Sequence, residues 1–120
     1  MVHVSVIGCG HMGGALIQGL AGDDAYAVTA IDADPEALDA VATYSQETTT
    51  DLKAAEDTDV VMLAVKPDTV ETVLDDIQLS ADQTLVTLAA GVSTDFVAAR
   101  TDAAVVRAMP NLAAETGDMA

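Results

Sequence analysis

The start of this chain constrains its fold most strongly. Residues 2–7 (VHVSVI) are a run of β-formers, and the run ends in a cluster of glycines at Gly8, Gly10 and Gly13. The residues that follow carry apolar side chains at the spacing of one helix face. Glycine loses more conformational entropy on folding than any other residue, so such a cluster indicates a backbone path that a Cβ would forbid. Either the turn is very tight, or a ligand lies against its main chain.

The alternation of strand and helix continues along the whole chain. Residues 60–65 (VVMLAV) are its most hydrophobic run, as expected of a central parallel strand covered on both faces. Short buried strands joined by helical stretches predict crossover units with right-handed connections. We therefore predict an α/β fold, a Rossmann-like doubly wound parallel sheet of about six strands, in a single domain over residues 1–120. The predicted strands are 2–7, 27–31, 45–50, 60–65, 84–88 and 104–108.

Capping residues predict where the helices begin. Asp34, Asp51 and Ser93 each precede a helical stretch and have the short polar side chain that an N-cap requires. Asp68 and Glu71 are interpreted as a capping box for the helix after residue 67. The apolar stripe predicted on the first helix consists of Met12, Ala15, Leu16, Gly19 and Leu20.

The charge of the chain excludes two classes of partner. It has 20 acidic residues against four basic ones, for a formal net charge of −16. Nucleic acids and anionic membranes are bound mainly through Lys and Arg, so neither is expected here. A hydrophobic fraction of 51% with clear periodicity argues against disorder. We interpret the acidity as the surface of a salt-adapted, halophilic protein, because salt screens the repulsion among its charges.

The cellular location is predicted from what the sequence lacks. Cys9 is the single cysteine, so there is no internal disulfide and no spacing typical of zinc. The chain enters a strand at once, without the pattern of a signal peptide, and no apolar run is long enough to span a bilayer. A cytoplasmic protein is expected. After residue 108 a loop opens and the chain stops without a closing helix, so we expect a fragment or an isolated domain.

The glycine cluster has the spacing G-x-G-x-x-G between a strand and a helix. In that context Gly8 permits the turn, Gly10 lets the backbone approach a pyrophosphate, and Gly13 lets helix and strand pack closely. The helix N-terminus then supplies N–H groups and a positive dipole to the phosphates without any basic side chain. The alternative is an ordinary strand-to-helix turn. Cys9 is interpreted as a small turn residue and His11 as an exposed residue at the start of the helix.

Two charged residues stand where parallel strands are predicted to end. Asp32, 19 residues after Gly13, is placed to accept hydrogen bonds from the adenosine ribose, and its charge favours NADH over NADPH. Surface charge or local capping is the alternative. Lys66 follows the central strand, at the edge where open α/β sheets bind ligands, and a solvated loop lysine is the alternative there. The sequence contains no catalytic triad, paired carboxylates or metal-ligand spacing. A hydride-transfer enzyme does not need them, because its cofactor carries the chemistry.

Four ordered motifs resemble the amino-terminal half of pyrroline-5-carboxylate reductase. They are VIGCGHMGGAL, LAVKPDTV, LVTLAAGVS and VVRAMPNLAAETGDM, and together they cover essentially the whole chain. The resemblance implies hydride transfer from NAD(P)H to the C=N bond of an imine substrate, 1-pyrroline-5-carboxylate, to give proline. It also implies which residues line the cofactor and which border the substrate. The cofactor-lining residues that it implies are Gly8, Cys9, Gly10, His11, Met12, Gly13, Ala64, Val65, Lys66, Pro67, Ala89, Ala90 and Gly91; the substrate-adjacent residues are Met109, Pro110 and Asn111. Asp32 joins the cofactor-lining set from its position after the second strand.

The sequence also departs from that family. Members often have Ser, Thr or Asn near the position of Asp32, and they usually continue with Thr-Pro after the residue corresponding to Asn111. The family's helical domain, through which the full-length protein is expected to form a homo-oligomer, is absent from this chain. Two alternatives stay open: a related oxidoreductase, such as an F420-dependent NADP reductase or a β-hydroxyacid dehydrogenase, and a non-catalytic dinucleotide-binding module.

Overall fold

The computed structural model of the chain describes residues 2–88 and 92–108, and within them strands and helices alternate as predicted. The strands are β1 (Val2–Ile7), β2 (Tyr26–Ile31), β3 (Glu47–Thr49), β4 (Val60–Leu63), β5 (Thr84–Thr87) and β6 (Ala104–Arg107). The helices are α1 (His11–Ala21), α2 (Pro35–Val41), α3 (Pro67–Asp76) and α4 (Thr94–Ala98), with short 3-10 helices at Ala42–Tyr44 and Leu52–Asp57.

All six strands form one parallel sheet, which confirms the predicted fold class. The strand order is β3-β2-β1-β4-β5-β6. The chain starts in the middle of the sheet at β1, moves outward to β3, returns to β4 on the other side of β1, and moves outward again to β6. The direction of winding therefore reverses between β1 and β4. In open α/β sheets, ligands bind at such a reversal, beyond the carboxyl ends of the strands.

The hydrophobic core has two layers, one on each face of the sheet. On one face Val4 and Val6 of β1 pack with Ile17 of α1, and all three are nearly inaccessible to solvent. On the other face Ile7 and Leu63 pack with the buried residues of α3 and α4. Successive side chains of a strand point to opposite faces, so a central strand covered on both sides must be apolar almost throughout.

Two of the predicted helix details are wrong. Lys66, not Asp68, is the N-cap of α3, and Glu71 forms an ion pair with Arg100 at 3.0 Å instead of completing a capping box. Proline at position 67 takes the first helical position, and this places the cap two residues earlier than expected. On α1 the fully buried residues are Gly13 and Ile17, one turn apart. The predicted stripe lies beside this line: four of its residues are half-buried and Gly19 is exposed, because the helix face that carries Gly13 turns toward the sheet.

The predicted strand boundaries need small corrections, and three caps are confirmed. β2 begins one residue early, β3 is three residues long, and β4 ends at Leu63 instead of residue 65. The pairing of β4 with its neighbouring strands ends there, before the chain turns into α3. The Asp34, Asp51 and Ser93 side chains each accept a hydrogen bond from a backbone N–H in the first turn of the helix that follows.

Candidate functional site

The loop between β1 and α1 turns sharply at Gly8. Its φ of +95° is a conformation that side chains rarely allow, and it is the one positive φ among the described residues 2–88 and 92–108. A Cβ at Gly8 would also lie 2.7 Å from the carbonyl oxygen of Ala64. The backbones of the glycine loop and of the segment after β4 are therefore in close contact. Glycine is required here by the fold alone.

Gly13 brings helix α1 onto the same loop. A Cβ at Gly13 would overlap the carbonyl oxygen of Gly8 and would lie 3.5 Å from the Ala64 Cβ. Helix and loop can approach this closely only because the side chain is absent. The predicted role of the third glycine, close packing of helix and strand, agrees with this geometry.

Gly10 differs from both of these glycines. Its φ of −72° is open to any residue, and a Cβ at this position would meet nothing within 4 Å. Nothing in the described fold requires glycine at this position, and the space that a side chain would fill faces solvent. Gly10 is also the N-cap of α1 and makes no side-chain cap hydrogen bond. The first N–H groups of a helix have no partner within it, so this end of α1 offers them to an anion.

The segment after β4 adds a second uncapped helix end at the same edge of the sheet. Ala64 donates its N–H to the Ile7 carbonyl oxygen (2.8 Å), which fixes it beside the glycine loop. Val65 is half-buried, and the exposed Lys66 is the N-cap of α3 without a side-chain hydrogen bond. The exposed residue at position 67 begins the helix. The starts of α1 and α3 thus flank the reversal point between β1 and β4.

Asp32 lies directly after β2 and contacts the glycine loop. Its Oδ2 accepts a hydrogen bond from the Cys9 N–H (2.8 Å), and its Oδ1 accepts one from the Asp34 N–H (2.9 Å). The side chain is half-buried. A carboxylate has about four acceptor positions, so two remain for a ligand after these bonds are made. Asp32 is therefore hydrogen-bonded to the loop and keeps two acceptor positions for a ligand.

Cys9 points into the core beneath the loop. It is 4% exposed, and its Sγ lies 3.5 Å from the Ile31 carbonyl oxygen, to which the thiol donates. Burial, and after it the negative charge of Asp32, raise the pKa of the Cys9 thiol to about 11. The thiol is thus protonated at neutral pH and is not a nucleophile. The prediction of a small turn residue fits this position.

The structure brings most of the predicted cofactor residues to one edge of the sheet. Gly8, Gly10 and Gly13 form the loop, Asp32 is bonded to it, and Ala64 contacts it. His11 is exposed and Met12 half-buried, both in the first turn of α1. Six of the predicted residues lie outside the described part of the chain: Ala89, Ala90, Gly91, Met109, Pro110 and Asn111.

One feature of the site was not predicted, which is that Asp32 holds the glycine loop. The sequence does carry a local signal for half of it. Asp32 precedes Asp34 by two residues, and this spacing allows a turn in which the Asp32 carboxylate accepts a hydrogen bond from the Asp34 N–H. The bond from Cys9 to Asp32 joins residues 23 apart in sequence, and only the parallel pairing of β1 with β2 brings them together.

Within residues 2–88 and 92–108 no three His, Cys, Asp or Glu side chains are grouped to hold a metal ion. In the same part of the chain no helix is long and apolar enough to cross a membrane.

Comparison with known families identifies the glycine-loop domain. The family described as NADP oxidoreductase, coenzyme F420-dependent, matches residues 3–91. The chain belongs to this family. The matched residues run from β1 to the segment after β5 and so include the whole edge described above.

Pyrroline-5-carboxylate reductases are similar to this member of the family over a longer stretch. The enzyme of Mycobacterium leprae (strain TN) is 38% identical over 129 residues, which cover 98% of this chain and 44% of that protein. The enzyme of Mycobacterium tuberculosis (strain CDC 1551 / Oshkosh) is 35% identical over 130 residues, with the same coverage. The chain therefore spans less than half the length of the curated relatives it matches.

Solved structures of similarly named proteins share the fold. The 1-pyrroline-5-carboxylate reductase of Streptococcus pyogenes superposes with a TM-score of 0.82 at 25% identity, over 96% of this chain and 45% of that one. The Coxiella burnetii reductase gives 0.82 at 26% identity, over 96% and 46%. The Plasmodium falciparum pyrroline carboxylate reductase, solved with NADP bound, gives 0.79 at 21% identity, over 97% and 45%, and supports the fold alone.

Proposed function

We propose that this chain is the cofactor-binding domain of a pyrroline-5-carboxylate reductase, which transfers hydride from NAD(P)H to 1-pyrroline-5-carboxylate to give proline. The observation that carries the proposal is the glycine loop at the reversal point of the sheet, where Gly10 leaves room that the fold itself does not use. Support for this particular imine comes from the relatives of that name, whose similarity covers 98% of the chain. Bound at this edge, a nicotinamide cofactor would supply the hydride.

The residues of the chain would hold the cofactor mainly through the backbone. The N–H groups at the start of α1 are placed to bind the pyrophosphate, with Gly10 allowing close approach. Ala64 and Val65 would run beside the cofactor, and Lys66 would add a positive charge at the rim. The predicted contacts of Ala89, Ala90 and Gly91, and of Met109, Pro110 and Asn111 with the substrate, belong to the same proposal. No side chain of this chain is proposed as catalytic.

Asp32 is the basis for proposing NADH as the preferred cofactor. Its two remaining acceptor positions suit the ribose hydroxyls, whereas a 2′-phosphate would face a like charge in a partly desolvated cleft. Opposing effects of this kind separate two ligands by about tenfold or more in affinity. The Plasmodium falciparum reductase holds NADP, but its resemblance concerns the fold, so the preference here rests on Asp32. Asp32→Ser should narrow or reverse the ratio of the two affinities.

The two families that this chain resembles match different lengths of it. The family description names F420-dependent oxidoreductases, but its match ends at residue 91, before the RAMPN motif. The similarity to pyrroline-5-carboxylate reductases continues through that motif. Two further parts of the proposal have different support: the 20 acidic residues support a salt-adapted protein, and the resemblance to pyrroline-5-carboxylate reductases supports a cytoplasmic protein whose full-length form is a homo-oligomer.

Binding of the cofactor is tested by a matched pair of glycine variants. A Cβ meets nothing within 4 Å at either Gly10 or Gly19, but Gly19 is exposed in the last turn of α1, away from the loop. Gly10→Ala should leave the fold intact and weaken NADH binding about tenfold or more, because the new methyl group occupies the pyrophosphate's approach. Gly19→Ala should bind as the wild type does. Equal NADH affinity in both variants, measured by calorimetric titration, would refute the proposed site.

The reaction is tested separately from binding. Because the chain covers 44% of its relatives, we expect the 120 residues alone to bind dinucleotide without reducing 1-pyrroline-5-carboxylate. A chimera that carries this chain in place of the matching amino-terminal part of the Mycobacterium leprae enzyme should form proline. Gly10→Ala in that chimera should lower the rate at limiting NADH. A folded chimera that binds NADH but forms no proline would contradict the proposed reaction.

A further inference from the structure

The glycine loop is bonded to the end of β2 by two successive peptide N–H groups. The Gly8 N–H donates to the Ile31 carbonyl oxygen (2.9 Å), and the Cys9 N–H donates to Asp32 Oδ2 (2.8 Å). The first bond is available to any sequence, because its acceptor is the main chain. The second depends on the Asp32 side chain. The loop's shape at Cys9, immediately before Gly10, is therefore set by a side chain of the neighbouring strand.

The other carboxylate oxygen fixes Asp32 itself. Oδ1 accepts the Asp34 N–H (2.9 Å), which ties the carboxylate to the turn that starts α2. The Asp32 N–H in turn donates to the Thr49 carbonyl oxygen (3.3 Å) at the end of β3. The carboxylate is thus held between two backbone donors and cannot rotate without losing one of them. Hydrogen bonds to a charged group are stronger than those between neutral groups.

We propose that Asp32 is a positioning residue for the pyrophosphate loop, in addition to its proposed contact with the ribose; this inference rests on the proposed function. Through Cys9 it keeps the Gly10 backbone in the conformation that faces the phosphates. Aspartate is the one side chain of this length with two anionic acceptors. Asparagine keeps one oxygen but turns an NH2 group toward the second backbone donor, and serine has a single hydroxyl.

The positioning role and a purely ribose-binding role predict different NADPH affinities when Asp32 is replaced. If Asp32 only contacted the ribose, its replacement by a neutral residue would remove a repulsion and leave NADPH binding unchanged or tighter. If it positions the loop, NADH and NADPH must both bind less tightly. Salt sharpens the distinction, since at about 1 M the Debye length is about 3 Å and the repulsive contribution is largely screened. The weaker cofactor binding that follows from an altered loop would remain at this salt concentration.

The experiment compares Asp32→Asn and Asp32→Ser with Asp59→Asn as a control. Asp59 also accepts a backbone N–H, that of His3 at 2.9 Å, but at the opposite end of the sheet. Amide hydrogen exchange by NMR should show the Cys9 N–H exchanging about tenfold faster or more in both Asp32 variants. It should be unchanged in Asp59→Asn, where the His3 N–H is exposed instead. Unchanged exchange at β1 and β4 core amides shows that each variant is folded.

Cofactor titrations at about 1 M salt complete the test. Both Asp32 variants should bind both cofactors about fivefold or more weakly than Asp59→Asn, which corresponds to part of one charged hydrogen bond. Unchanged Cys9 exchange would overturn the proposal, and so would faster exchange with unchanged or tighter NADPH binding. If the wild type binds neither dinucleotide, the proposed function fails, and the positioning role fails with it. Failure of the proposed function is thus distinguishable from failure of the positioning role alone, because the latter is observed only when the wild type binds a dinucleotide.

Discussion

Gly13→Ala tests whether helix α1 rests directly on the glycine loop. The added Cβ would overlap the Gly8 carbonyl oxygen and would lie 2.8 Å from the Gly8 carbonyl carbon. Both neighbours are main-chain atoms. Gly8 cannot retreat, because its own N–H is bonded to Ile31 and its Cβ position is already closed by the Ala64 carbonyl oxygen, 2.7 Å away. The helix must therefore move.

The cost of that movement follows from what α1 buries. Ile17, one turn after Gly13, is fully buried against the sheet, so lifting the helix loosens its packing. Forcing a methyl group into a packed interior costs about 1–3 kcal/mol, and a clash with fixed backbone belongs at the upper end. Alanine regains about 1 kcal/mol of helix propensity. The expected net loss is about 2 kcal/mol, or a fall in Tm of about 10 °C for a domain of this size.

Urea unfolding followed by circular dichroism at a fixed salt concentration measures this loss. Gly19→Ala is the control, since it places the same change in the same helix where a Cβ meets nothing, and it should stabilise the protein by up to about 1 kcal/mol. The two variants should thus differ by about 3 kcal/mol. If Gly13→Ala is as stable as Gly19→Ala, helix and loop do not touch as described.

Three further outcomes are expected. In the folded protein the pKa of the Cys9 thiol is raised from 9.0 to about 11. Because the folded state holds this proton more tightly than the unfolded state does, the stability linked to the thiol is complete below pH 9 and is lost as the pH rises to 11. The unfolding free energy should therefore fall by about 2 kcal/mol more in the wild type than in Cys9→Ser between about pH 8 and 11. Gln83→Ala should cost about 2–3 kcal/mol in the same assay, since its buried amide bonds to the Ala55 and Thr58 carbonyl oxygens and the Ser80 N–H. The Tm should rise with salt, because 20 acidic residues repel one another; a flat or falling Tm would contradict this.

The sequence predicted the fold well because its patterns are local. The run VVMLAV, the caps at Asp34 and Ser93, and the glycine cluster each report a structure formed by neighbouring residues. The errors lie where tertiary contacts decide. Gly13 faces the sheet because the helix must approach Gly8, and periodicity alone selected the neighbouring face that carries Leu16 and Leu20.

The placement of the site residues was predictable for the same reason. The turn at Gly8 and the close packing at Gly13 follow from spacing within one loop, and the positions of Asp32 and Ala64 follow from the ends of their strands. The bond from Cys9 to Asp32 could not be predicted, since it depends on the distance between two strand ends. A strand pattern identifies which residues reach the edge of the sheet. It does not say which of them bond to one another there.

A chain with a net charge of −16 would bind the proposed anionic cofactor against its own field. The proposed site meets this difficulty with main-chain N–H groups and a helix dipole, which need no basic side chain and act at contact distance. Repulsion from the acidic surface acts over longer distances, and salt screens it first. NADH affinity should therefore rise as salt is raised from about 0.1 to about 1 M, whereas anion binding through Lys and Arg weakens with salt. Titrations of NADH at several salt concentrations measure this dependence, and circular dichroism shows whether the chain is folded at each concentration. A fall in NADH affinity with salt would mean that a cation, such as Lys66 at the start of α3, carries the phosphate contact instead of the glycine loop.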